Sequence, residues 1–263
     1  MENEQNIHNE VVTTPNVVEQ TMHDTTVTPK TNPGFGIPQA IVTAAVIIGL
    51  ALVFVFAPNK TASKPLNNKS YSALEMFAVN MGINADKFEA CMESGETTQT
   101  VKDHSELAKP LGVEGTPTSI IMVSGTNQQI QIVGALPLES IKQVIDAGLD
   151  GKTLTLTEEQ KPKAQTTILA SDHIIGNPNA PIVIVEYSDS DCPYCQRFHN
   201  TMHQVKDAYG DKVAWVYRHY PLDGLHPKAR MEAEASECVA KLSDDATFWK
   251  YLDAMFTINS SAS

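Results

Sequence analysis

Pro181-Ile182-Val183-Ile184-Val185-Glu186-Tyr187-Ser188-Asp189-Ser190-Asp191-Cys192-Pro193-Tyr194-Cys195 runs from an apolar, β-branched stretch straight into a C-x-x-C pair. The run 181–187 predicts a buried strand, and Gln196 to Tyr209 predicts a helix, so the two cysteines fall where a strand hands over to a helix. The placement has chemical consequences. A cysteine at a helix start faces backbone N–H groups without helical partners and the positive end of the helix dipole, both of which favour its thiolate, the reactive form. Pro193 suits the first helical position, because its missing N–H would have had no helical partner. A zinc site usually needs four Cys or His ligands, and the remaining cysteines, Cys91 and Cys238, stand alone. His199 and His203 are near in sequence but run down the helix away from the Cys192 sulfur. Redox chemistry is therefore expected, with no metal and no cofactor; an inert structural disulfide is the alternative.

Residues 168 to 256 resemble the first half of a DsbA-family thiol:disulfide oxidoreductase. The resemblance rests on Gly176-Asn177-Pro178-Asn179-Ala180-Pro181, the strand to Asp189, the C-P-Y-C, Arg218-His219-Tyr220-Pro221-Leu222, His226-Pro227 and an Ala/Glu-rich helix. Residues 71 to 149 resemble the second half of the same domain. They carry Gly115-Thr116-Pro117-Thr118, which matches the family's cis-proline loop, then strands at about 118–124 and 129–133 and a helix at about 138–148. The implied fold is α/β: a thioredoxin-like fold with an inserted helical subdomain.

In the family the C-x-x-C half comes first, whereas here the cis-proline half (71–149) precedes it, joined by a linker (150–167) to the C-x-x-C half (168–263). Each half occurs once. The order reads as a circular permutation with new ends in a helix–helix connection, since exposed connections tolerate chain ends and the old termini of a domain are often close together. Alternatives are a fragment of a tandem array, a gene-model error or a domain-swapped dimer in which each half completes a neighbouring chain.

Residues 1–36 lack sustained periodicity and read as a disordered tail. Ile37 to Ala57 carries no charge and is long enough to cross the roughly 30 Å hydrocarbon core of a bilayer, so it is expected to be one transmembrane signal anchor ahead of a 58–70 linker. Flanking charge and chemistry disagree on topology. Lys30 precedes the span while Lys60, Lys64 and Lys69 follow it, which leans toward a cytoplasmic C-terminal domain. A disulfide-forming domain, however, works in an oxidising compartment, and large domains translocate largely regardless of flanking charge. The C-terminal domain is thus expected to be extracytoplasmic, held at the cell membrane by a single pass. A net charge of −12, from 31 acidic and 19 basic residues without a basic cluster, argues against nucleic-acid binding.

The mechanism follows from access. Cys192 is expected to be the exposed nucleophile, and Cys195, one turn into the helix, the buried leaving and resolving thiol. The resemblance implies that Pro117 is a cis-proline packed on the dithiol. It also implies that the backbone of Thr116 pairs with an extended substrate, with Pro193 and Tyr194 at the same surface, and that Glu186 is an acid beneath the site able to relay protons to Cys195. A solvated strand residue is the other reading of Glu186. Asp191 departs from the aromatic residue of some relatives, and its charge is expected to raise the neighbouring thiol's pKa. His226 is expected to be a surface or capping histidine; Phe248, Trp249, Tyr251, Leu252, Met255 and Phe256 are expected to form helical core. Four cysteines allow three pairings, which sequence cannot choose among; by resemblance, Cys91 and Cys238 form a structural disulfide.

The expected function is an oxidase for unfolded secreted or surface proteins, which requires a membrane reoxidising partner of the DsbB or vitamin K epoxide reductase-like type. Reductase and isomerase use the same residues. Glutaredoxins share C-P-Y-C but lack the helical insertion, and an inactive permuted remnant serving as a binding module is the non-enzymatic alternative.

Overall fold

Every residue of the strand Ile182–Ser188 is buried, as its nearly unbroken apolar sequence requires of a strand covered on both faces. The computed structural model describes residues 72–259. The span expected at 37–57 lies outside the described residues, and no helix among those described is long and apolar enough to cross a membrane.

In chain order the elements are α1 (Ser72–Asn80), α2 (Ala85–Ser94), α3 (Thr98–Ala108), β1 (Thr118–Val123), β2 (Gln129–Val133), α4 (Leu138–Leu149), β3 (His173–Ile175), β4 (Ile182–Ser188), α5 (Pro193–Tyr209), β5 (Val213–His219), α6 (Ala229–Leu242) and α7 (Asp245–Asn259). One five-stranded sheet has the order β2-β1-β4-β5-β3. β4 and β5 are parallel, and the other pairings are antiparallel. The sheet thus draws β1 and β2 from the Pro117 segment and β3 to β5 from the dithiol segment. Their seam is the β1–β4 ladder, with Thr118 opposite Tyr187 and Ser119 opposite Glu186.

Alternation along β4 divides the core. Ile182 and Ile184 face α4, α5 and the helical layer together with Val213, Trp215 and Tyr217. Val183, Val185 and Tyr187 face the opposite way, against Ala108, Leu111, Val113, Ala214 and Val216.

The stretch expected to be a linker is tightly held. Leu154 is buried in the first core cluster. The Gln129 side chain brackets Thr166, donating to its carbonyl at 2.8 Å and accepting from its N–H at 2.9 Å. The reason lies in Arg218, a buried guanidinium whose five donors must all find acceptors. Two go to the Asp172 carboxylate at 2.8 Å each, and the others to Thr166 Oγ1, Tyr187 Oη and the Thr167 carbonyl. Ordering residues 166–172 is what lets that charge be buried.

The helical layer is also shared by both segments. α2, capped by the Asn84 side chain on Lys87 N–H, is joined to α6 by the Cys91–Cys238 disulfide. Tyr251 of α7 donates to the Leu74 carbonyl of α1 at 3.0 Å. All six apolar side chains expected as core on α7 are buried.

Candidate functional site

Cys192 is the N-cap of α5 and Pro193 its first residue, so the first turn offers unpaired backbone N–H groups to the Cys192 sulfur. The Cys192 thiol falls to about 6, first because the Cys195 S–H donates to it and further through the N–H groups of Cys195 and Tyr194; burial opposes the shift. Cys195 is pushed well above its ordinary range, by burial foremost and then by the neighbouring Cys192 charge. The two sulfurs are thereby separated into a nucleophile and a protonated partner.

Two expectations need correction. Cys192 is only 4% exposed, because the Thr116 segment closes over it: its Sγ lies 3.7 Å from the Thr116 carbonyl. And the thiol is depressed although Asp191 adjoins it, because hydrogen bonds are aimed at the sulfur. The Thr116–Pro117 peptide is cis and Pro117 is buried. Pro193 and Tyr194 are exposed beside the dithiol, with the Arg197 guanidinium 4.7 Å over the Tyr194 ring.

Glu186 is fully buried on β4, which rules out the solvated reading. Oε2 accepts from Trp215 Nε1 at 2.9 Å, while Oε1 has no hydrogen-bond partner among the described residues. Burial raises its pKa to about 7. Because the folded protein holds this proton where the unfolded chain releases it, stability is lost as pH rises from about 4.5 to about 7. Glu186→Gln should remove about 3 kcal/mol of that decline. Urea unfolding of both proteins at the two ends of the window checks this; parallel pH profiles would contradict it.

Asp189 holds the connection from β4 to α5, a role that sequence reading missed. Its N–H points at Cys195 Sγ at 3.5 Å, its carbonyl accepts from Cys192 N–H at 3.1 Å, and Oδ1 accepts from Asp191 N–H at 2.9 Å. Oδ2 takes Leu222 N–H at 2.8 Å and pairs with His226 Nδ1 at 2.9 Å. Burial opposes charge on His226, but the Asp189 carboxylate prevails and raises its pKa. The Asp189-x-Asp191 spacing, which suits an Asx turn, was the available signal.

With reduced protein, the pH dependence of Cys192 alkylation should have its midpoint near 6. A midpoint at the ordinary 9.0 would show that the α5 amides and Cys195 do not stabilise the thiolate.

Residues 59–146 match the family described as "DSBA-like thioredoxin domain", and residues 169–262 match the family described as "Thioredoxin". The Pro117 segment is thus similar to the DsbA-like thioredoxin family and the dithiol segment to the thioredoxin family. Among solved structures, it is 30% identical to Wolbachia pipientis alpha-DsbA1, over 36% of this chain and 46% of that one, with a TM-score of 0.31. Pseudomonas aeruginosa DsbA2 is also 30% identical, over 35% and 50%, with a TM-score of 0.32. Among curated proteins, the chain is 40% identical over 86 residues to "Na(+)/H(+) antiporter NhaA 1" of Mycolicibacterium gilvum and 45% identical over 69 residues to that of Mycobacterium sp. strain KMS. Those stretches are 33% and 26% of this chain but only 14% and 11% of the antiporters.

Proposed function

We propose that the protein is a membrane-anchored, extracytoplasmic thiol:disulfide oxidoreductase acting as an oxidase, with a DsbA-like domain in circularly permuted order. The observation that carries this reading is the inequality of the two thiols: Cys192 depressed to about 6 beneath the Thr116 carbonyl, Cys195 buried and raised. Near pH 7 such a nucleophile favours the reduced form about tenfold more than a thiol of ordinary pKa, making the pair about 30 mV more oxidising. The permutation reading is supported by the Pro117 segment preceding the dithiol segment while sharing its sheet.

A substrate thiolate attacks Cys192 Sγ of the oxidised pair; the Cys192–Cys195 bond breaks, and Cys195 leaves as a thiolate that takes a proton. Glu186, titrating near 7 and buried on the strand that leads to the dithiol, supplies that proton. A second substrate thiolate then attacks the substrate sulfur of the mixed disulfide and releases Cys192. Two electrons pass from the substrate dithiol to the enzyme pair. Pro117 and Thr116 receive an extended substrate, whose backbone pairs at Thr116 while Pro193 and Tyr194 border it. The Cys91–Cys238 bridge braces the helical layer. Residues 37–57 anchor the chain, the substrates are unfolded secreted or surface proteins, and a quinone-linked membrane protein of the DsbB or vitamin K epoxide reductase-like type restores the disulfide.

The test is to mix oxidised full-length protein with a reduced, unfolded secreted protein. The expected result is substrate disulfides formed in equal number to the Cys192–Cys195 pairs reduced. Substrate left unoxidised beside an intact pair would overturn the proposal.

A further inference from the structure

α5 places His199 and His203 one turn apart, and α7 brings Asp253 against both. His199 Nε2 and His203 Nε2 are 3.1 Å apart, and Asp253 Oδ1 lies 2.7 Å from the first and 2.9 Å from the second. With Asp253 ionised, no placement of protons satisfies all three contacts. If both Nε2 atoms carry hydrogen, each donates to the same oxygen and the nitrogen–nitrogen approach sets donor against donor. If either is bare, its lone pair faces a carboxylate oxygen at hydrogen-bond distance. One cation accepting all three lone pairs removes the conflict. With metal–ligand bonds of about 2.0–2.2 Å, a tetrahedral ion would hold such atoms roughly 3.3 Å apart, only a few tenths beyond the distances present.

The surroundings fit a built site. The His199 imidazole is buried and held by the Trp215 ring, centroids 5.1 Å apart, and the Phe256 ring at 4.4 Å. His203 and Asp253 are both partly exposed, on a cavity of about 360 Å³ also lined by Gln196, Asn200 and Thr257. An ion could enter there and keep water in its remaining positions.

We propose that His199, His203 and Asp253 bind a divalent borderline cation, Zn²⁺ by ligand type. Two imidazoles and one carboxylate suit zinc and its neighbours, whereas Ca²⁺ and Mg²⁺ take oxygen ligands. The i, i+4 histidine spacing is that of helical zinc sites, but Asn200 stands where a zinc hydrolase carries its general-base glutamate, so this is a binding site and not a hydrolytic centre. It departs from the sequence expectation of no metal, which weighed these histidines only as ligands shared with Cys192. A bound ion would tie the helix carrying the dithiol to α7 and raise thermal stability.

The test titrates Zn²⁺ against a chromophoric chelator into full-length protein whose Cys192–Cys195 pair is oxidised, so that free thiols do not compete. One equivalent should bind with an upward shift in melting temperature, and His203→Ala and Asp253→Asn, both at the surface, should each weaken binding at least about tenfold. Far-UV circular dichroism confirms that both variants are folded. Undetectable binding, or equal affinity in wild type and both folded variants, would overturn the site.

Discussion

Cys192→Ser should abolish thiol–disulfide exchange, reducing substrate oxidation to the uncatalysed background, whereas Cys195→Ser should retain one half of the reaction. The difference follows from the geometry. Only Cys192 combines the α5 N-terminal amides with the Thr116 carbonyl, and only its thiol is brought down to about 6. Removing Cys195 leaves a nucleophile without its resolving partner, so Cys195→Ser given a disulfide-bonded substrate should accumulate a mixed disulfide at Cys192, one substrate sulfur leaving as a thiol. Its nucleophile should also titrate higher, because the Cys195 S–H is the foremost group lowering the Cys192 pKa. Mass spectrometry of the trapped species under non-reducing conditions checks the first point, and the pH dependence of Cys192 alkylation in the variant checks the second. Adducts forming at Cys195 in Cys192→Ser as readily as at Cys192 in Cys195→Ser would contradict the division of roles.

The second large effect concerns stability. Cys91 and Cys238 are 147 positions apart and both buried. Closing a loop of that length restricts the unfolded chain by about 5 kcal/mol in the chain-entropy description, much of the roughly 5–15 kcal/mol by which domains are stable. The double variant Cys91→Ala, Cys238→Ala should therefore lose about 3–5 kcal/mol in urea unfolding, measured with the active-site thiols alkylated in both proteins. A loss below about 1 kcal/mol would mean that the helical layer is held by packing alone.

Much of the fold was legible because its signals are local. The unbroken apolar run at 182–188 marks a strand covered on both sides, and Cys192-Pro193 marks a helix start. The Gly115-Thr116-Pro117-Thr118 loop was legible only by resemblance, since propensity favours a trans bond. What escaped depends on partners far along the chain. Cys192 is covered by a carbonyl 76 positions away, so no local pattern could show its burial. The Asp189 carboxylate meets groups 33 and 37 positions downstream. Residues 150–167 looked like a connection, and only the folded Arg218 reveals why Thr166 and Thr167 at its end are held. The convergence of His199 and His203 with Asp253 likewise needs α7 laid across α5, 50 or more positions on.

The reduction potential of the Cys192–Cys195 pair in the full-length protein, measured against glutathione, tests the account most directly. A reversible intramolecular disulfide, distinctly more oxidising than thioredoxin at about −270 mV, is the result expected of a nucleophile titrating near 6. A pair that forms no reversible disulfide, or one whose potential lies at or below the thioredoxin value, would contradict it.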